Sequence, residues 1–423
     1  MIPSGRAGAR AVHALTATVL AGLLTYVVLA LVSRSVSATE FDQFSVFWSL
    51  ALIIGFGFFL PVEQEAARLS RSGPDEPALY PVMMRVTAAI VAFVVVLVGI
   101  ASPLLHGVLG LPPMLILACA LVAVASGIQF AARGRLLAES RTTAFTNVLI
   151  ADTILRVALF AVVAFASATL LGSDADVAFA FALIVAIVAA HAWVVPWTRW
   201  SPYDPRLGRT FAAAVAFLVG TSLCAQILVN AGPILIKALA DSPGLAGAFQ
   251  ASSTLARIPL AMITPIQAML VGPLAALAVA GDHAQVERMM RRVAFAALGL
   301  AAVGGLVGWL AGPWLVELIF GPGRALSGPD IALLVIGVVV HVTLIILTQA
   351  VIATGRHRGA LIAWAIALFA GAVVFVATLP AGPVLAVELG FGIGSLIGAL
   401  VAYALVARLA RVGHVPEPIE EEG

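Results

Sequence analysis

Two arginines, Arg156 and Arg257, lie inside long apolar runs of this 423-residue chain. A charged side chain near the centre of a membrane helix costs about 2.5–3.5 kcal/mol on insertion scales, and such residues usually have a function. An arginine suits a phosphate group because its planar guanidinium can donate two parallel hydrogen bonds. The chemistry that these two residues indicate is therefore the binding of an anionic group inside a membrane.

Arg257 belongs to a stripe of residues spaced by four, three, four and three positions, which places them on one helix face. The stripe consists of Gln250, Thr254, Arg257, Ala261 and Thr264. No acidic residue lies within one helical turn of Arg257. Two interpretations follow: Arg257 faces a central cavity and binds an anionic headgroup, or it pairs with a carboxylate on another helix.

Asp152 and Arg156 are four positions apart, a spacing that lets the two side chains pair on one helix face. The pair is either a neutralised structural element or a gate or ion-coupling site. Ser222, Gln226 and Asn230 repeat the four-residue spacing on another run. They are interpreted as the polar wall of a cavity or as hydrogen bonds between helices.

Other polar and small residues receive simpler interpretations. His341 could titrate, but a hydrogen bond to a neighbouring helix is favoured. Glu63, Glu65 and Glu388 lie at the ends of apolar runs and are expected to be solvated. Gly390, Gly392, Gly394 and Gly398 include a small-xxx-small pair, which favours close helix packing.

The composition identifies the solvent of the chain as lipid. Hydrophobic residues make up 62% and charged residues only 10%, against about 25% charged residues in soluble proteins. Apolar runs of about 20 residues without strand-type alternation predict transmembrane helices. The net charge of +2 gives no indication of a nucleic-acid partner, and no cofactor motif, metal cluster or catalytic triad is found. The two cysteines, Cys119 and Cys224, are interpreted as buried apolar residues.

Twelve membrane spans are predicted, and the distribution of charge supports this number. If the N-terminus is cytoplasmic, eighteen of the 23 basic residues fall in inside segments, and Arg34, Lys237 and Arg324 are outside. A missed helix would move the basic residues after it to the other side of the membrane. The bias continues to the end of the chain, which supports twelve spans and predicts that both ends are cytoplasmic. The predicted spans are 11–33, 43–62, 82–105, 113–132, 146–171, 177–197, 210–237, 244–274, 292–320, 330–354, 359–379 and 383–407.

The spans divide into two sets of six. We predict an N-terminal lobe over 1–200, a cytoplasmic linker over 201–209, a C-terminal lobe over 210–413 and an acidic disordered tail over 414–423. Because six is an even number of spans, the two lobes would have the same orientation in the membrane. Repeats related in this way usually bind substrate at their interface.

Four segments resemble the oligosaccharide flippase (polysaccharide transporter) family of the multidrug/oligosaccharidyl-lipid/polysaccharide exporter (MOP) superfamily, which includes the MATE-like extruders. Residues 31–44 resemble the connection between helices 1 and 2, with its arginine at Arg34. Residues 256–260 resemble helix 8, with an arginine shortly before a proline. Residues 318–321 and 349–356 resemble the end of helix 9 and the turn between helices 10 and 11.

This resemblance implies two six-helix lobes around a central cavity that opens alternately to each side of the cytoplasmic membrane. The implied substrate is a polyprenyl-diphosphate-linked oligosaccharide used in cell-surface polysaccharide synthesis. Arg257 and Arg34 would then bind the headgroup, while Arg156 is added from its position alone. Polysaccharide-assembly proteins are implied as partners, and coupling to H⁺ or Na⁺ is left open.

Two rival functions remain. A multidrug extruder for organic cations predicts a cavity dominated by acidic residues. A non-transporting scaffold of an envelope-assembly complex predicts that the intramembrane charges pair completely and line no cavity.

Overall fold

The fold is built of helices throughout residues 22–70, 76–167, 174–195, 203–258, 283–353 and 357–412, the part that our computed structural model describes. The predicted all-α polytopic architecture is confirmed, and no strand occurs in these ranges. The first helices are α1 Gly22–Ser35, α2 Ala38–Leu52, α3 Leu60–Leu69, α4 Glu76–Gly107, α5 Pro113–Ala138, α6 Thr142–Ala166 and α7 Ala175–His191. The others are α8 Pro205–Asn230, α9 Gly232–Leu239, α10 Leu245–Ala256, α11 His283–Phe320, α12 Gly328–Ala353, α13 His357–Thr378 and α14 Pro383–Val412.

Within the described ranges, nine helices are long and apolar enough to cross a membrane. The helices Gly22–Ser35 and Ala175–His191 are apolar but shorter, and they coincide with the first and sixth predicted spans. The eighth predicted span, 244–274, begins with α10, and its remainder from residue 259 lies outside the described residues. A helix therefore occurs at each of the twelve predicted positions, whereas the orientation of the termini stays a prediction.

The second span contains a π-helical segment, Ile53–Phe59, between α2 and α3, which the sequence did not indicate. Such segments are rare and often occur at functional sites. Two glycines in it permit close approach of neighbouring helices. A Cβ atom on Gly57 would lie 2.7 Å from Leu223 of α8, and one on Gly55 would lie 3.2 Å from the Ser126 hydroxyl of α5.

The chain forms two compact units. The first comprises Met1–Leu255 and Gly312–Leu326, and the second comprises Ala256–Ala311 and Ser327–Gly423. Helix α11 contributes residues to both units. The two lobes separated by the linker 201–209 stay a prediction from topology.

Aromatic packing fixes α2, α6 and α7 of the first unit against one another. The ring of Phe44 lies 6.2 Å from that of Phe179 and 6.4 Å from that of Phe160, and the rings of Phe160 and Phe179 are 5.2 Å apart. All three side chains are buried. Aromatic pairs at this separation add about 0.5–1.5 kcal/mol beyond the area that they bury, so they help to hold the polar face of α6 in place.

Glycines let α14 pack closely on α13 in the second unit. A Cβ atom on Gly394 would lie 2.6 Å from the Ala367 carbonyl oxygen, and one on Gly398 would lie 2.6 Å from the Ala367 Cβ. The predicted small-xxx-small packing is confirmed, and its partner is α13. The favoured interpretation of His341 is also confirmed, since its Nδ1 lies 3.1 Å from the Ser395 hydroxyl on α14.

Candidate functional site

Asp152 and Arg156 form a two-pronged ion pair on α6. Arg156 Nη2 lies 2.7 Å from Asp152 Oδ2, and Arg156 Nε donates to Asp152 Oδ1 at 3.0 Å. The helical spacing places both groups on one face, and the predicted pairing is confirmed. Asp152 is 4% exposed, whereas the Arg156 side chain is 23% exposed. The acid is therefore neutralised, while part of the guanidinium stays accessible.

A cavity of about 220 Å³ opens beside this pair within the first unit. Helices α1, α2, α5 and α6 and the π-helical segment supply its walls. The lining residues with polar side chains are Thr25, Trp48, Gln129, Arg133, Asp152, Thr153 and Arg156. A second cavity of about 50 Å³ shares Trp48, Phe56, Gln129 and Arg156 with the first. Arg156 thus borders two adjoining spaces.

A second ion pair borders the larger cavity. Arg133 Nε of α5 lies 2.8 Å from Glu63 Oε2 of α3, and Arg133 Nη2 donates to Glu63 Oε1 at 3.2 Å. The packing of α3 on α5 produces this contact, because Gly134 lets the Glu63 backbone approach within 3.3 Å of where a Cβ would stand.

The expected solvation of Glu63 and Glu65 is wrong. Glu63 is 6% exposed and Glu65 is 1% exposed. Glu65 pairs with Arg68 at 2.6 Å. The helix continues past the predicted end of the span, so both carboxylates stay inside the bundle and each is neutralised by an arginine.

His191 at the end of α7 lies near the Asp152–Arg156 and Glu63–Arg133 pairs and forms with them one polar cluster. No motif or spacing in the sequence indicated this residue. The residue is completely buried, and its Nδ1 lies 2.9 Å from the Ile187 carbonyl oxygen. Its Nε2 has no hydrogen-bond partner among the described residues. The imidazole lies within electrostatic range of Asp152, Arg133 and Arg156. Four helices therefore contribute charged or titratable groups to one place, which no spacing along the chain could indicate.

The predicted stripe around Arg257 is described only in part. Gln250 and Thr254 are buried, and the Gln250 amide donates to the Thr254 hydroxyl at 2.9 Å. The Ser49 hydroxyl of α2 donates to Gln250 Oε1 at 3.4 Å. Arg257 follows α10, is half-buried, and lies within electrostatic range of His341 in the second unit. Ala261 and Thr264 lie outside the described residues.

The remaining predicted site residues bond to other residues of the first unit. The Asn230 amide donates to Gln226 Oε1 at 2.8 Å, so these two residues of α8 bond to each other. Arg34 donates from Nε to the Ile319 carbonyl at 2.8 Å and from Nη2 to the Leu318 carbonyl. Of the predicted residues, Asp152 and Arg156 are the ones that line the described cavity of the first unit.

Comparisons with known proteins agree on the fold. No family model matches the chain. An uncharacterized protein of Mycobacterium tuberculosis (strain ATCC 25618 / H37Rv) is 29% identical over 411 residues, covering 93% of this chain and 90% of the relative. An uncharacterized protein of Mycobacterium bovis is 28% identical over 368 residues, covering 82% of this chain and 81% of the relative.

Solved transporter structures are similar over nearly the whole chain. An inward-facing multidrug resistance MATE transporter of the MOP superfamily has a TM-score of 0.72 at 13% identity, covering 96% of this chain and all of that one. The lipid II flippase MurJ, in an inward closed conformation, has a TM-score of 0.65 at 12% identity, covering 94% and 89%. A MOP-superfamily transporter from Pyrococcus furiosus, whose binding pocket is described as having reverse polarity, has a TM-score of 0.63 at 12% identity, covering 96% of each chain.

The chain therefore has the fold of the MOP-superfamily transporters, a class that includes both multidrug extruders and a lipid flippase. Identities of this size establish the fold and leave the substrate to the chemistry of the site.

Proposed function

We propose that the chain moves an anionic, polyprenyl-diphosphate-linked oligosaccharide across the cytoplasmic membrane by alternating access. The observation that supports this most is the Asp152–Arg156 pair beside the 220 Å³ cavity. It places an accessible guanidinium, rather than a free carboxylate, against a space inside the helical bundle.

Arg156 keeps hydrogen-bonding capacity for a ligand. A guanidinium has five N–H donors, and Asp152 uses Nε and Nη2. The Nη1 group can donate to a phosphate oxygen without breaking the ion pair. Charge-assisted bonds of this kind are about twice as strong as neutral ones. Gln129, Thr153 and Arg133 line the same cavity and add polar groups around such an anion.

The charges of the cluster disfavour an organic cation as substrate. The two carboxylates, Asp152 and Glu63, are each held by an arginine at 2.7–2.8 Å. A cation would have to displace an arginine to reach either acid, which would leave that arginine buried without its partner. The multidrug extruder has the same fold, however, so a direct measurement must separate the two functions.

Transport of the anion outward has an available driving force. A membrane potential that is negative inside favours this movement by about 2.3 kcal/mol per charge for each 100 mV. In the proposed cycle, Arg156 binds the diphosphate from the cavity of the first unit, while the polyprenyl chain stays in the bilayer. The chain acts here as a transporter rather than an enzyme, with polysaccharide-assembly proteins as its partners.

Binding of farnesyl diphosphate to the purified full-length protein tests the proposal. We expect saturable binding that Arg156→Ala weakens at least tenfold, since the substitution removes the charged donor. Arg206→Ala is the matched control, because Arg206 is exposed and starts α8 away from the cavity. Equal binding by the wild type and Arg156→Ala would contradict the assignment. Binding of an organic cation such as ethidium, but not of the diphosphate, would favour the extruder.

A further inference from the structure

Glu388 on α14 is buried in the second unit, where no described residue donates a hydrogen bond to it. The residue is 2% exposed, and both carboxyl oxygens lack a hydrogen-bond partner among the described residues. The expectation that Glu388 is solvated is therefore wrong. Helix α14 begins at Pro383, so Glu388 lies about one and a half turns inside the helix rather than at its first residue.

Close helix packing explains this burial. A Cβ atom on Gly390 would lie 2.8 Å from the Gly371 carbonyl oxygen of α13. A Cβ atom on Gly392 would lie 3.7 Å from the Gly337 Cα of α12. Two glycines, two and four residues after Glu388, thus bring both neighbouring helices against α14. The adjacent side chains Ala386, Val387 and Phe391 are buried as well.

Among the described residues of the three packed helices, no ion pair to Glu388 is formed. Asp330, half-buried in the first turn of α12, lies within electrostatic range and carries the same charge. His341 is midway along α12 and bonds to Ser395. The basic residues of α13 and α14 are His357, Arg358, Arg408 and Arg411. Arg408 is twenty residues further along α14, about 30 Å away at the helical rise of about 1.5 Å per residue.

A carboxylate in these surroundings would be a buried charge with no compensating donor and a like charge nearby, which is strongly unfavourable. Binding one proton removes the charge and with it the repulsion from Asp330. A metal ion would require several ligands, and no group of three or more His, Cys, Asp or Glu residues among the described residues is arranged to hold one. A proton is therefore the ligand that this site accommodates.

We infer that Glu388 is a proton-binding site of the second unit, neutral while α12, α13 and α14 are packed around it. Release of the proton leaves a carboxylate beside Asp330 and disfavours this packing. The same step would supply a coupling proton to transport, and only that role rests on the proposed function.

Labelling with dicyclohexylcarbodiimide tests the inference, because this reagent modifies protonated carboxyl groups in apolar surroundings. The full-length protein in detergent is labelled over a range of pH and its peptides are analysed by mass spectrometry. We expect modification of Glu388 near neutral pH that declines as the pH rises and is absent in Glu388→Gln. In Asp330→Asn the decline should begin at lower pH, since a repulsive charge has been removed.

The wild-type protein contains its own comparison. Glu63 is also buried but is paired with Arg133, so we expect little modification there. Absence of label on Glu388 at every pH, in protein that retains its thermal transition, would overturn the inference. The readout requires no transport, so it can fail while the diphosphate-binding measurement succeeds, and the reverse also holds.

Discussion

Arg34 and Arg324 each cap the C-terminal end of the other's helix, α11 and α1 respectively. Arg34, at the end of α1, donates to the Leu318 and Ile319 carbonyls in the last turn of α11. Arg324, just after α11, donates to the Ser33 carbonyl at 3.1 Å and the Val36 carbonyl at 2.8 Å, at the end of α1. A cation at a helix C-terminus satisfies unpaired carbonyls and interacts favourably with the helix dipole. Four hydrogen bonds, two from each arginine, therefore join the C-terminal ends of α1 and α11.

This exchange also explains two exceptions to the charge pattern of the loops. Arg34, Arg324 and Lys237 are the basic residues that the predicted topology places outside. Lys237 Nζ lies 3.6 Å from Asp42 Oδ2, and Asp42 also accepts hydrogen bonds from the Gly244 and Gly247 amides at 2.7 Å each. All three cations therefore have structural partners within the first unit.

We predict that Arg34→Ala and Arg324→Ala each lower the thermal stability of the purified protein. The expected cost is about 1 kcal/mol, as for a cation near a helix C-terminus. Arg141→Ala serves as the control, since the Arg141 side chain is 56% exposed. If Arg34→Ala instead abolished diphosphate binding with an unchanged melting temperature, Arg34 would be a headgroup ligand as the family resemblance implies.

The Asp152–Arg156 pair allows stability and binding to be separated. Arg156→Gln leaves Asp152 buried without its cation, and we expect a loss of about 3–5 kcal/mol of stability. The double variant Asp152→Asn/Arg156→Gln removes both charges and should recover most of that loss, without recovering diphosphate binding. Thermal unfolding and farnesyl diphosphate titration of the same preparations measure the two effects. Recovery of binding by the double variant would show that the guanidinium is not the ligand.

Arg257→Ala tests the residue that the sequence placed first among the candidates. We expect glycan export to fail in cells that carry this variant at wild-type protein levels, because the substitution removes a headgroup ligand. Arg206→Ala provides a control of identical chemistry at an exposed position. Unchanged export by Arg257→Ala would show that Arg257 is not a headgroup ligand.

Gly394→Ala is predicted to destabilise the packing of α14 on α13. The added Cβ would meet the Ala367 carbonyl oxygen at 2.6 Å and the Gly371 Cα at 2.8 Å, and backbone atoms cannot rotate aside. Overpacking of this kind costs about 1–3 kcal/mol. Gly99→Ala on α4 is the matched control, since nothing lies within 4 Å of its added methyl. A melting temperature that is lowered equally by both substitutions would contradict the close contact.

Much of the fold followed from local information. Apolar runs of about 20 residues predict helices wherever lipid is the solvent, and a helix begins or passes through each predicted position. The Asp152–Arg156 pair was predictable because four residues along a helix bring two side chains together. The sequence predicted that His341 bonds to a neighbouring helix, but it could not identify the partner as Ser395, because the two residues are 54 positions apart.

What the sequence alone determined is thus the class of fold, the places where helices run and the contacts within one helix. The tertiary structure decided which helices meet. It brought Arg133 to Glu63 across 70 positions, placed His191 beside both ion pairs, and enclosed Glu388 through the glycines that follow it. Burial of a charge depends on the neighbours that exclude water, and those neighbours come from distant parts of the chain.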